Sequence, residues 1–193
     1  MKKQTITIII IAVIILAVIL GAILIINKNK GNEGGKIETV GQMKEMFKTI
    51  YSKLGEELPN LETQEISVED ETQVKAYTGL KSNKNIEKIV ASEPLMSSQA
   101  YSAVTVKVKS GANIEEIKKE MLENINMSKW ICVSAEKMYI TNNGNTIFMV
   151  MSNEDWANPV YNEFKEYVGN NIGKELEKTE EENINLPPQM IVQ

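Results

Sequence analysis

The sequence predicts an α+β domain, a mostly antiparallel sheet with helices packed on it, preceded by one N-terminal transmembrane helix. Residues 6–26 are almost continuously aliphatic. Within residues 104–108, three valines alternate with polar residues, which is the period of a half-buried strand. The dipeptide Asn143-Gly144 is typical of a two-residue hairpin turn. The chain has 193 residues, enough for one domain plus an anchor.

The aliphatic run predicts a transmembrane signal anchor at residues 5–26. As a helix it is about 30 Å long, the thickness of a hydrocarbon core. It is too long for the apolar region of a cleaved signal peptide, and no small-residue cleavage site ends it. Since a signal anchor exports its long C-terminal side, we expect the N-terminus in the cytoplasm and the main domain outside the cell membrane. The predicted parts are a cytoplasmic N-terminus at 1–4, a flexible spacer at 27–36, an extracytoplasmic domain at 37–173 and a charged, mobile tail at 174–193.

Composition excludes several classes of function. Residues 37–193 contain 16 Lys and 25 acidic residues, a net charge of −9 (16 − 25). Such a domain is repelled by nucleic acid. The chain has no His and no Arg, so it has no imidazole base for a nucleophile, no His-bound metal and no guanidinium fork for phosphate.

Local patterns predict the first elements of the domain. Apolar residues at three- and four-residue steps indicate a helix at 37–54, which Gly55 ends. Residues 56–71 are polar and acidic and predict a loop. Residues 72–80 predict a strand, and 83–92 a short helix that ends before a proline.

The later elements have clearer signals. Residues 100–109 predict a strand. Asn113 begins a helix as a capping residue, with Glu116 three positions on. The apolar face of this helix contains Ile114, Ile117, Met121, Leu122 and Ile125. Asn158 followed by Pro159 predicts the start of the last helix, because proline suits the first helical position.

The hairpin determines how the single cysteine, Cys132, is interpreted. With the Asn-Gly dipeptide as the turn, Ile140 faces Ile147 and Met138 faces Met149 across the two strands. Cys132 would share that apolar face. Because the chain has no His to activate it and no second Cys to pair with it, we expect an inert thiol packed in the core.

Few residues suggest catalysis. Ser134 and Lys137 match the Ser-x-x-Lys pattern of penicillin-binding proteins, but residues three apart in a strand point to opposite faces. Four acids near apolar sequence are favoured as surface or capping groups over the paired acids of a glycosidase. These acids are Glu93, Glu136, Glu154 and Asp155. We therefore expect no catalytic, cofactor-binding or metal-binding residues.

The segment SEPLMSSQAYS, residues 92–102, has two interpretations. It is either a recognition loop, since loops carry much of protein binding, or a tight turn whose Leu95 and Met96 fill the core. The turn is the favoured interpretation.

One resemblance covers roughly residues 75–170. The N-terminal anchor, the segments SEPLMSSQAYSAVTVKVKSGANIEEIKKEM and KWICVSAEK, and the hairpin NNGNTIFMVM resemble small exported proteins of Clostridia and related Firmicutes. That family consists of membrane-anchored or lipoprotein-like domains of unknown function. This chain departs from the lipoprotein members because no lipidation cysteine follows the apolar run. The resemblance implies no activity and no site residues.

The sequence thus favours a non-catalytic, membrane-tethered binding domain in the cell envelope. Its partner is another protein or a second copy of the chain, and the membrane is contacted through residues 5–26. Two alternatives stay open: an envelope hydrolase that uses carboxylates or a Ser-Lys dyad, and a small-molecule sensor or binding module.

Overall fold

The computed structural model describes residues 34–180, which form a six-stranded antiparallel sheet with four α-helices packed on it. This confirms the predicted α+β class. The strands lie in the order β1-β2-β3-β5-β4-β6. The elements are α1 (Val40–Leu54), β1 (Leu61–Ile66), α2 (Glu71–Thr78), β2 (Ile86–Pro94), β3 (Tyr101–Val108), α3 (Ile114–Asn124), β4 (Lys137–Asn143), β5 (Thr146–Ser152), α4 (Glu154–Tyr167) and β6 (Leu176–Thr179). The predicted anchor at 5–26 lies outside the described residues, and none of the helices within them has the length and apolarity to cross a membrane.

Each face of the sheet is covered by two helices. Alternate residues of the central strands point to opposite faces, so β3 and β5 contribute to both cores. One core lies under α2 and α3; it includes Val74, Val104, Val106, Met121, Met138, Ile140, Ile147 and Met149. The other lies under α1 and α4; it includes Met43, Phe47, Val90, Tyr101, Phe148, Val150 and Phe164. Because β3 and β5 are covered on both sides, nearly all of their residues are buried.

The stop predicted at Gly55 for α1 and the cap predicted at Asn113 for α3 are confirmed, with α1 starting three residues later than predicted. Thr39 and Gln42 form a capping box at the start of α1, and Gly55 ends that helix at φ 63°. The Asn113 side chain accepts a hydrogen bond from the Glu116 amide at 3.3 Å. Local side-chain chemistry therefore fixes both helix starts.

The predictions for 72–80 and 83–92 are wrong. Residues 72–80, predicted as a strand, form most of helix α2, and residues 83–92, predicted as a helix, contain most of strand β2. Asp70 accepts bonds from two backbone amides and starts α2. Strand β2 carries a bulge between Ile86 and Lys88. The bulge breaks the alternation of a strand, so Ile86 and Ile89 are spaced as on a helix while both point into one core.

Two strands lie in segments predicted to lack regular structure. The predicted loop at 56–71 contains β1, which pairs with β2 at one sheet edge. The predicted mobile tail at 174–193 contains β6, which pairs with β4 at the other edge. Both are short and mostly polar, as edge strands commonly are, so their sequences lack a hydrophobic signal. Residues 181–193 lie outside the described part.

The hairpin is confirmed, but its predicted register is wrong. Strand residues Asn143 and Thr146 pair, so the loop residues are Gly144 and Asn145. Of these two loop residues only Gly144 has positive φ, at 52°, as in a type II′ turn. The turn lies one residue later in the chain than predicted, so each residue of β4 pairs two positions further along β5, as Ile140 does with Met149. A shift of two residues leaves the inward-facing residues on their face. Met138, Ile140, Ile147 and Met149 accordingly share one core.

The core placement of Cys132 is wrong. Strand β4 begins only at Lys137, and Cys132 lies in the preceding loop at φ 61° with its side chain exposed.

The predicted start of the last helix is also wrong. Asn153 accepts a hydrogen bond from the Trp156 amide at 3.0 Å and begins α4 five residues before Asn158. Pro159 therefore lies inside the helix.

Candidate interaction surface

Three large apolar side chains are exposed within residues 34–180, and all lie on two neighbouring loops. Leu95 is 67% exposed and Met96 57% exposed on the β2–β3 loop, and Ile131 is 64% exposed on the α3–β4 loop. The Ile131 amide donates a hydrogen bond to the Ser97 carbonyl at 3.0 Å, which joins the loops. We call Leu95, Met96 and Ile131 the loop patch. The expectation that Leu95 and Met96 fill the core is wrong.

A polar cluster lies beside the loop patch and links the α3–β4 loop to the adjoining ends of β2 and β3. Lys129, in the α3–β4 loop, contacts the Glu93 carboxylate at the end of β2. The Ser102 hydroxyl, at the start of β3, donates to that carboxylate at 2.6 Å and accepts from the Lys129 ammonium at 3.3 Å. Lys129 and Glu93 are only 18% and 25% exposed. Because the charges are paired and hydrogen-bonded, this cluster can hold the loop against the sheet end.

Two aromatic rings flank the Lys129 ammonium. Its nitrogen lies 5.3 Å from the centre of the Tyr77 ring and 5.4 Å from that of the Trp130 ring, within the range of cation–π attraction. Partial burial, and then the negative charge of Glu93, raise the pKa of the Tyr77 hydroxyl above its ordinary value. The ammonium of Lys129 is thus surrounded by a carboxylate, a hydroxyl and two rings.

The α3–β4 loop is also ordered by bonds of its own. The Ala135 amide donates to the Met127 carbonyl at 2.8 Å. The Ser134 hydroxyl donates to the Ser128 hydroxyl at 2.9 Å. These bonds close the loop at its base and leave Ile131 and Cys132 at its exposed tip.

The loop patch lies at the end of the sheet opposite the beginning of the described chain. At one end of β5, the Thr146 hydroxyl donates to the Ile37 carbonyl at 2.8 Å. At the other end, the Ser152 hydroxyl donates to the Ala100 carbonyl, in the β2–β3 loop, at 2.6 Å. Thr146 and Ser152 are six positions apart along the strand, a distance of about 20 Å.

The residues considered for catalysis are held apart. Ser134 bonds Ser128, whereas Lys137 forms an ion pair with Glu177 at 3.1 Å. The remaining acids serve the start of α4: Glu136 accepts a bond from the Glu154 amide at 3.4 Å, and Glu154 and Asp155 are exposed in the first helical turn.

Ser102 and Lys129 are in hydrogen-bond contact at 3.3 Å, but this pair lacks the features of an activated serine nucleophile. The Ser102 side chain has no exposed surface, so substrate cannot approach it. The Lys129 nitrogen donates to the Glu93 carboxylate and to the Ser102 oxygen, whereas a lysine that acts as a base must accept the proton of the serine.

Two open depressions lie away from the loop patch. A groove of about 500 Å³ between α3 and β6 is lined by Asn113, Glu115, Glu116, Lys119, Leu122, Glu123, Lys174 and Leu176. A notch of about 280 Å³ is lined by Tyr139, Asn158, Tyr161, Asn162, Lys165 and Glu175. Burial, and then the hydrogen bond and charge of Glu175, raise the pKa of Tyr161. In residues 34–180 no group of three acidic or cysteine side chains could hold a metal ion.

Sequence reasoning missed the polar cluster and wrongly placed Leu95 and Met96 of the loop patch in the core. Glu93 and Lys129 are 36 residues apart, so no local pattern relates them. The only signal for the patch was the apolar pair Leu95 and Met96 between polar residues. No protein-family model, curated protein or solved structure matches this chain.

Proposed function

We propose that the domain is a non-catalytic binding module, tethered by residues 5–26 at the outer face of the cell membrane, whose loop patch binds a partner protein. One observation carries the proposal. The large apolar side chains exposed within residues 34–180 lie together on two hydrogen-bonded loops. Clustered exposed apolar groups on a folded domain commonly mark an interaction site.

The energetics of the loop patch suit recognition. Fully burying a Leu, Ile or Met side chain contributes about 1.5–3 kcal/mol. Since the three side chains are 57–67% exposed, covering them would contribute about 3–6 kcal/mol in total. The bonds that order both loops also reduce the entropy lost on binding, because less of the loop must be immobilised.

Charge and position favour a different protein as the partner over anionic lipid or a second copy of the chain. Residues 37–193 carry a net charge of −9, which disfavours anionic lipid headgroups and opposes the approach of a second copy. The predicted spacer joins the domain near Ile37, at the sheet end opposite the loop patch. A protein partner that covers the apolar centre and is less acidic than this domain fits these features best.

Site-specific photo-crosslinking in the host tests this proposal. A photoreactive residue at position 95 or 131 should give the same crosslinked product, because both positions belong to one surface. The matched control is position 110, an exposed residue in the turn between β3 and α3 at the opposite sheet end. Equal crosslinking from all three positions, or none from 95 and 131, would contradict the proposal. Light scattering of the purified chain separates a second copy from a different partner.

The predicted orientation has its own test. Alkaline phosphatase is active only where its disulfides form, outside the cytoplasm. A fusion after residue 36 should therefore be active in cells, and an inactive fusion of normal abundance would contradict the extracytoplasmic placement.

A further inference from the structure

We propose that residues 184–192 of this same chain fold back onto the loop patch and compete with the partner for it. This inference rests on the proposed function, because it assigns a regulatory occupant to the same surface. The occupant is an apolar segment near the C-terminus, not a second copy or a lipid.

The chain leaves the sheet at the end that carries the loop patch. Strand β6 ends at Thr179, and the Glu180 amide donates to the Glu136 carbonyl at 3.0 Å. Glu136 lies in the α3–β4 loop, five positions after Ile131. The chain therefore leaves the described domain beside the loop that carries Ile131 and Cys132.

The remaining chain is long enough to cross the patch. Leu95 and Met96 follow β2, which is four strands away from β6 in the sheet, a distance of about 19 Å at the usual strand spacing. Thirteen residues follow Glu180 (193 − 180), and they can span about 43 Å when extended. Both loops of the patch are within that reach.

The composition of the segment matches an apolar surface. After the acidic residues 180–182, the sequence NINLPPQMIV places five aliphatic or sulphur-containing side chains within nine positions. They are Ile184, Leu186, Met190, Ile191 and Val192. Pro187 and Pro188 favour an extended conformation, so the segment loses less entropy when it is immobilised on a surface.

The groove between α3 and β6 is the competing location, and two features disfavour it. Its rim carries three glutamates, Glu115, Glu116 and Glu123, against two lysines, and it would have to accept the acidic residues 180–182. The chain also leaves β6 toward the opposite strand end, so it would have to reverse direction to reach the groove.

Cys132 supplies a native reporter, because it is exposed and adjacent to Ile131. Its rate of maleimide labelling is compared in the full chain, in a chain ending at Glu180, and in a full-length Met190→Ser/Ile191→Ser variant. We expect labelling to be about fivefold or more faster in both altered chains. The control is Lys44→Cys in a Cys132→Ser background, an exposed position on α1, where the tail changes should have no effect.

Each other outcome overturns the inference. Equal Cys132 rates in the three chains show that the segment does not cover the patch. Faster labelling at position 44 as well shows general loosening. Protection that disappears on dilution but survives truncation shows that a second copy covers the patch.

The failure of this inference differs from the failure of the proposed function. If truncation accelerates labelling while photo-crosslinking from position 95 gives no partner in either chain, the binding function fails and the tail contact stands. If crosslinking succeeds equally in both chains and labelling is unchanged, the binding function stands and the tail contact fails.

Discussion

Lys129→Met should weaken the fold and loosen the polar cluster of Lys129, Glu93 and Ser102 beside the loop patch. The substitution keeps most of the apolar stem and removes the ammonium that contacts Glu93 and Ser102. It leaves the Glu93 carboxylate, which is 25% exposed, without its counter-charge. The loss of stability therefore comes from an unpaired, partly desolvated carboxylate rather than from lost packing.

The magnitude follows from this degree of burial. Losing a hydrogen bond to a charged group costs about 1.5–3 kcal/mol, and breaking a fully buried ion pair costs about 3–5 kcal/mol. Since both partners keep some exposure, we expect Lys129→Met to lower the free energy of unfolding by about 2–3 kcal/mol. For a domain of this size the melting temperature should fall by about 5–10 °C.

Urea unfolding of the single and double variants provides the assay. Adding Glu93→Gln removes the unpaired charge, so the double variant should lose about 1–2 kcal/mol less than the sum of the single losses. Lys48→Met is the control, because its pair with Glu45 is 79% and 62% exposed and contributes little. If the free energies of unfolding of Lys129→Met and Lys48→Met differ by less than about 0.5 kcal/mol, the polar cluster is not a stabilising element.

Four other substitutions test single positions. Gly79→Ala should lower the free energy of unfolding by about 2–4 kcal/mol, because a Cβ there, at φ +76°, would lie 2.6 Å from the Ile125 amide nitrogen. Gly111→Ala, at φ +82° in open space, should lower it by about 1–2 kcal/mol. Chemical denaturation compares the two variants. Burial raises the pKa of Tyr101 well above its ordinary value. Above about pH 10 the unfolded chain therefore loses a proton that the folded chain keeps, and the free energy of unfolding should fall with pH less steeply in Tyr101→Phe than in the natural chain. Asn153→Ala removes the cap of α4 and should cost about 1 kcal/mol, and an unchanged thermal midpoint would contradict that role.

The fold could be predicted where local chemistry decides the structure. The alternation around Val104 predicts β3, and the side chain of Asn113 starts α3, because both signals act within a few residues. The prediction failed where long-range contacts decide. Strand β6 is polar and gains its structure by pairing with β4, and the bulge at Ile86 makes a buried strand look helical.

The candidate site was less predictable for the same reason. The exposure of Leu95 and Met96 depends on how their loop meets the α3–β4 loop, which contacts it through the Ile131 amide. Cys132 lies at the tip of a loop whose base is closed by backbone bonds. None of these contacts produces a periodic pattern of residues in the sequence.

If the two loops form one binding surface, a substitution on one loop must weaken crosslinking from the other. Ile131→Asp, at a side chain that is 64% exposed, should change stability by no more than about 0.5 kcal/mol. With the photoreactive residue at position 95 in the host, the same substitution should reduce the crosslinked product by tenfold or more, as expected for a residue near the centre of an interface. An undiminished product at normal protein abundance would contradict the account.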